Sequence, residues 1–189
     1  MLVNLKAIAH RVTDDELLQL SSDNPDTKFE KTKEGKLVIM SPTGSNSGRR
    51  NTRLIFQVEL WNSESNLGVT FESSTGFVLS NGAVRSPDVS WIELSRWHQL
   101  TAEQQDKFAP IDPDFVIELR SSNDKLDDLQ QKMKEYMDCG IRLGWLINPQ
   151  DKQVEIYRQG QNKDVLANPA SLSGESILPG LTVDLTDIL

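Results

Sequence analysis

The chain has 189 residues, 37% of them hydrophobic and 25% charged, with a formal net charge of -8. This length suits one domain with a real core, and the acidic balance argues against unspecific attraction to nucleic acid. No apolar run approaches the roughly 18 residues of a membrane span, and the N-terminus lacks the basic start, apolar core and small-residue cleavage site of a signal peptide, so a cytoplasmic protein is expected. The single Cys139 fits a reducing compartment and excludes a thiolate metal site, while His10 and His98 stand 88 positions apart and do not suggest zinc. As a nucleophile Cys139 would need a basic partner that the sequence does not indicate; a buried thiol at a helix end is the plainer reading.

Thr13-x-x-Glu16 forms a capping box, with Val12 and Leu17 placed as a hydrophobic staple, so a short helix is expected over about 14–21, stopped by Asn24-Pro25-Asp26. Residues 36–40 alternate towards a strand between the Glu34-Gly35 turn and the Ser41-Pro42-Thr43-Gly44 loop. Residues 49–61 place Leu54, Ile55, Val58 and Trp61 on one helical face. Residues 69–72 and 76–79 read as a pair of strands, Asn81-Gly82 as a turn before Val84, and 88–92 as a strand entered through Ser86-Pro87. Residues 95–112 are polar and read as an irregular or helical excursion. No repeat, low-complexity segment or interdomain linker is present.

Charge is uneven along this path. Residues 28–53 hold Lys28, Lys31, Lys33, Lys36, Arg49, Arg50 and Arg53 against only Glu30 and Glu34, a local excess of five positive charges. Taken alone, the segment reads as a solvated basic face or as a phosphate-binding one.

Residues 113–149 carry the strongest pattern, strand, helix, strand. Phe115, Val116, Ile117 and Leu119 make a nearly continuous apolar run, as expected of a central strand covered on both faces. Period-2 geometry points Glu118 and Arg120 to the same side. A buried carboxylate costs several kcal/mol unless a charge or metal compensates it, so Glu118 calls for a partner. In the following helix Leu126, Leu129, Met133, Tyr136 and Met137 form one apolar stripe, with Ser121-x-x-Asp124 as a weak capping box and Gly140 as a left-handed residue past its end. Lys132 falls at the edge of that stripe, where a lysine buries its stem and can present its ammonium inward. Residues 143–147 read as a second buried strand, parallel to the first. Residues 154–157 form a further strand across the Gln150-Asp151-Lys152 turn, and the tail from Gln159 is turn-rich with short strands.

Asp88 and Glu118, at the ends of neighbouring strands, could hold a divalent cation through hard oxygen ligands. Such an ion can activate a water for attack on a phosphodiester while a nearby cation stabilises the developing charge. Residue by residue, the same pattern also fits Asp88 as a strand-initiating turn residue and Glu118 with Arg120 as a structural ion pair.

Pro87-Asp88 followed by Glu118-x-Arg120 resembles the PD-(D/E)XK nuclease motif. The surrounding text is similar to a branch of small bacterial proteins of the restriction-endonuclease-like fold. The likeness runs through Phe29-Glu30, residues 35–42, Arg85 to Ser90, Pro113 to Glu118, Lys132 to Tyr136, Gly140 and Trp145 to Pro149, and spans about residues 12 to 160. It implies an α/β protein, a restriction-endonuclease-like mixed β-sheet flanked by α-helices, as a single domain whose β-rich C-terminal extension covers residues 160–189. It further implies a metal-dependent DNA endonuclease, with Asp88 and Glu118 binding Mg²⁺ or Mn²⁺ and Glu30 as an auxiliary carboxylate; a homodimer is compatible with it. The alternatives are a catalytically weakened member that binds nucleic acid or protein, and a metal-dependent hydrolase of small phosphorylated compounds.

The sequence departs from the family pattern twice. Arg120 stands where the motif carries lysine, and its guanidinium stays protonated, so it can stabilise charge but cannot act as a base. Asn46, Ser47 and Gly48 occupy a stretch where many members carry a histidine. Lys132 can replace the missing lysine. A position about nine residues into the helix has descended roughly 13 Å, Glu118 lies some 7 Å below its strand end, and a lysine side chain spans the remainder.

Overall fold

The computed structural model describes residues 11–40 and 42–189, so His10 and Ser41 lie outside the described residues. The chain begins with α1 (Asp14–Asp23), β1 (Lys28–Lys31), β2 (Leu37–Met40), α2 (Ser45–Ser65), β3 (Gly68–Glu72), β4 (Phe77–Val78) and β5 (Val84–Arg85). It continues through β6 (Val89–Glu93), α3 (Leu94–Trp97), α4 (Ala102–Gln105), β7 (Phe115–Leu119), α5 (Leu126–Asp138), β8 (Leu143–Asn148), β9 (Gln153–Arg158), β10 (Asp164–Ala167), β11 (Ser171–Ser173) and β12 (Thr182–Asp184).

Local chemistry explains the helix limits. Thr13 Oγ1 accepts from the Glu16 N–H at 3.2 Å and Glu16 Oε2 accepts from the Thr13 N–H at 2.8 Å, the reciprocal capping box expected for α1. α2 extends beyond the expected 49–61 at both ends, from an N-cap at Gly44 to Asn66, whose left-handed φ of 53° closes it. α5 has no side-chain cap; Asp124 Oδ2 instead accepts from the Ser121 N–H at 2.7 Å, so the Ser121-x-x-Asp124 pair closes the turn before the helix rather than capping it. Gly140 takes the expected left-handed conformation, φ 93°.

A six-stranded mixed sheet in the order β10-β9-β8-β7-β6-β3 organises the domain, with β7 and β8 parallel and α5 as their crossover. A second sheet has the order β2-β1-β5-β4, and β11 pairs with β12. The two strands expected at 69–72 and 76–79 both form and join different sheets: β3 pairs with β6, and β4 with β5. The Glu72 carboxylate accepts from the Ser74 N–H at 3.0 Å and turns the chain out of the first sheet, although Phe71 and Phe77 still meet edge to face at 5.3 Å.

Strand alternation divides the core. Phe115, Ile117 and Leu119 of β7 face α2 and the C-terminal segment, whereas Val116 packs on the α5 side with Met133, Tyr136 and Leu146. Glu118 therefore projects towards α5. The four apolar neighbours on β7 contribute about 1.5–3 kcal/mol each on burial, enough to carry one carboxylate costing several kcal/mol into the interior. The C-terminal segment is part of this core: β10 extends the large sheet, and Leu172, Leu178, Val183 and Ile188 close the face beneath α2. Among the described residues no helix is long and apolar enough to cross a membrane.

Candidate active site

Antiparallel pairing sets Val89 of β6 opposite Ile117 of β7, and one further step in that register brings Asp88 opposite Glu118 on the face turned to α5. Asp88 Oδ2 accepts from the Leu119 N–H at 2.8 Å, which anchors the carboxylate at the strand end. Lys132 reaches this face from α5: its Nζ lies 2.8 Å from Glu118 Oε1 and 2.9 Å from Glu30 Oε1, with only 12% of the side chain exposed. One turn further along, the Tyr136 hydroxyl donates to the same Glu118 Oε1 at 2.8 Å. Glu30 arrives from β1, across the junction of the two sheets.

Glu30 is itself held in place. Its Oε1 also accepts from the Ser86 N–H at 2.9 Å, and its Oε2 receives Arg85 Nη1 at 3.1 Å. Arg85 then grips Glu135 Oε2 through Nε and Nη2, each at 2.6 Å. Lys28 donates to the Ser86 carbonyl at 3.1 Å, close beside Asp88. Every charged group here has a specific partner, as burial demands.

The balance is nonetheless acidic. Burial pushes the Glu118 carboxyl up to about 7, with the charges of Asp88 and Glu30 adding to the shift and Lys132 opposing it. Asp88 is also raised, by burial first and by Asp124 to a lesser degree, against the Leu119 N–H bond, Lys132 and Lys28. Burial raises Glu30 too, but Lys132, Arg85 and the Ser86 N–H outweigh it and leave its pKa lowered. Burial disfavours the Lys132 ammonium, yet Glu118 and Glu30 overcome this and hold its pKa above the usual lysine range. Lys132 is therefore a permanent cation at neutral pH rather than a proton acceptor.

The donor chemistry fits a hydrated divalent ion. Among the described residues, Asp88 Oδ1 and Glu118 Oε2 accept no hydrogen bond, so each carboxylate keeps one hard oxygen uncommitted. No group of three or more His, Cys, Asp or Glu side chains forms a ready metal cage among the described residues. Two carboxylates with water and substrate phosphate completing the shell is the usual arrangement for Mg²⁺.

The structure brings Asp88, Glu118, Glu30 and Lys132 together and leaves Arg120 out. β7 ends at Leu119, so strand alternation no longer governs Arg120. Its Nη1 bonds Asn148 Oδ1 at 3.2 Å and Asp151 Oδ2 at 3.1 Å, tying the strand end to the turn between β8 and β9. Sequence reasoning missed Tyr136, Arg85 and Glu135. Tyr136 read as a member of the apolar stripe, although a buried tyrosine hydroxyl needs a polar partner and Lys132 four residues earlier marked where one would be. Cys139 sits half-buried at the C-cap of α5, away from this cluster.

The basic segment divides. Lys31 pairs with Asp14, and Arg53 pairs with Asp187 at 2.6 Å. The loop before α2 reaches the turn that follows β7, where Thr43 Oγ1 and Ser121 Oγ lie 3.1 Å apart. That helix start has no side-chain cap and no acid in its first turn, and Arg49 and Arg50 follow.

Residues 14–186 match the model of the Uma2 family, described as "Putative restriction endonuclease". Among solved structures, the chain is similar to a crystal structure described as a putative nuclease belonging to DUF820 from Anabaena variabilis. The TM-score is 0.76 and the identity 20%, covering 93% of this chain and 96% of that one. That likeness shows a shared nuclease-like fold. No curated protein sequence matches the chain.

Proposed function

Since the chain belongs to the Uma2 family, we propose that it is a metal-dependent endonuclease hydrolysing phosphodiester bonds of DNA in the cytoplasm. The observation that carries this reading is the convergence of Asp88, Glu118 and Lys132 on one face, with Nζ of Lys132 2.8 Å from Glu118 Oε1. Bound Mg²⁺ or Mn²⁺ would polarise the phosphate and lower the pKa of a coordinated water. Asp88 and Glu118 would be its ligands. Lys132, fixed as a cation, offers charge to the phosphate oxygens as they become more negative. Glu30 holds Lys132 in position, and Tyr136 orients the Glu118 carboxylate.

The uncapped N-terminus of α2, with Arg50, supplies donors and charge for phosphates flanking the cut. A basic helix start of this kind favours a polynucleotide over a small phosphorylated compound. One observation favours a second reading, a member that binds nucleic acid without cutting it: the motif's lysine position holds Arg120, which is engaged by Asn148 and Asp151.

Incubation with supercoiled plasmid in Mn²⁺, in Mg²⁺ and in chelator tests both. The nuclease reading expects metal-dependent nicking that Asp88→Asn and Glu118→Gln abolish. Binding without cleavage in either metal supports the second reading, and neither binding nor cleavage overturns both.

A further inference from the structure

On the side of α2 turned away from the sheets, Thr52, Phe56 and Leu60 form one row at i, i+4 spacing and Ile55, Glu59 and Ser63 form the next. Together they line a shallow, mainly apolar groove of about 480 Å³. Phe56 and Leu60 are 63% and 48% exposed, two of the six large hydrophobic side chains exposed among the described residues. The opposite face of α2 already supplies the packing, through Leu54, Val58 and Asn62, whose Oδ1 accepts from Trp91 Nε1 at 2.8 Å. Neither the fold nor the acidic site therefore accounts for the outer stripe.

We propose that this groove is the interface of a two-fold homodimer in which α2 packs antiparallel against α2 of a second copy. A furrow between two i±4 rows is the surface that receives a row from another helix, and the row Thr52, Phe56, Leu60 is of the right kind to enter it. Charge selects a second copy as the occupant and sets its direction. Arg49 lies towards the N-terminal end of the stripe and Glu64 beyond its C-terminal end, on the same flank, about 60° apart at 100° per residue. An antiparallel mate centred near Phe56 brings Arg49 of each copy against Glu64 of the other, twice by symmetry, whereas a parallel mate faces like charge with like. One surface thus carries ridge, groove and both matching charges, as an isologous contact requires. A neighbouring hollow of about 170 Å³, bordered by Phe56, Gln57, Asp184 and Ile188, widens the contact towards the C-terminal segment. The helix is about 31 Å long, too little surface by itself for the roughly 800 Å² per partner of a standard interface. The association is therefore concentration-dependent and reversible.

Sedimentation velocity of the full chain, from low micromolar to several hundred micromolar, reads this directly. The wild type should shift from monomer to dimer. Phe56→Asp with Leu60→Asp should stay monomeric with an unchanged melting temperature, both side chains being exposed. Arg49→Glu should weaken association about tenfold, and adding Glu64→Arg should restore it. A wild type that stays monomeric throughout, or a dimer indifferent to Phe56→Asp with Leu60→Asp, overturns the proposal. So does a charge swap that fails to restore what Arg49→Glu loses, because the antiparallel register requires that rescue.

Discussion

Lys132 and Glu118 stand on different elements, helix and strand, yet the lysine Nζ lies 2.8 Å from the carboxylate Oε1 in the interior. Arg120, only two residues from Glu118 in the chain, points elsewhere. This inverts the spacing of the motif and places the cation beside the carboxylates from the opposite side.

The two cations should therefore behave differently. Lys132→Met should abolish cleavage and lower metal-free stability at pH 8 by about 3–5 kcal/mol, because it leaves buried carboxylates unpaired. Arg120→Met should retain cleavage and cost under about 1 kcal/mol, since its partner Asp151 is half-exposed. Plasmid nicking and chemical denaturation of both variants decide this. Loss of cleavage in Arg120→Met with retention in Lys132→Met would transfer the role to Arg120.

Stability without metal should depend on Glu118. Its folded pKa of about 7 lies above its ordinary 4.5. Between those values the native state binds more protons than the unfolded state, so unfolding free energy falls as pH rises through this window. The loss should reach about 3 kcal/mol by pH 8. Glu30 is shifted downward and acts in a separate window: its contribution is present above 4.5 and fades as pH falls below it. Melting in chelator from pH 5 to pH 8 should therefore show a decline that Glu118→Gln flattens, and an equal decline in that variant would assign it to other groups.

Asp88→Asn should separate electrostatic strain from metal binding. It removes one charge whose pKa burial has raised, and its amide oxygen can still accept from the Leu119 N–H, so the variant should melt no lower than wild type in chelator. The wild type should gain about 1.4 kcal/mol at a Mn²⁺ concentration ten times its dissociation constant, a rise of roughly 3–5 °C, and the variant should gain nothing. Differential scanning fluorimetry with and without Mn²⁺ reads both halves. No metal shift in wild type, together with a lower melting point for the variant in chelator, would make Asp88 a structural residue.

DNA binding should rest on the start of α2. At nanomolar protein, Arg50→Gln should weaken duplex binding and reduce the dependence of log K on log salt by about 0.9 for each phosphate that is no longer neutralised. Fluorescence anisotropy across a salt series measures this, and an unchanged slope would leave Arg50 without a phosphate contact.

Much of the architecture could be read locally. The Thr13–Glu16 cap, the apolar stripe of α5, the left-handed Gly140 and the two-sided apolar run of β7 each depend on residues within a few positions of one another, so the pattern carries the structure directly. β1 escaped notice because three of its four residues are charged. Those charges are buried only through distant partners: Lys31 by Asp14, and Glu30 by Arg85 and Lys132. Residues 69–72 and 76–79 could be read as strands, but no local rule says which sheet a short strand joins.

By itself the sequence determined that Asp88 precedes one strand, that Glu118 lies near the end of another and that Lys132 lies at the edge of a helical stripe, because strand and helix periods follow from backbone geometry alone; that the two strands are neighbours is a matter of tertiary pairing. Only the tertiary structure decided which cation meets the carboxylates. That choice depends on where β7 stops, which frees Arg120 to bond Asn148 and Asp151, and on the junction of two sheets that brings Glu30 to Lys132 across 102 residues of chain. Contacts between elements so far apart are settled by packing and burial of the whole domain, and no local periodicity encodes them.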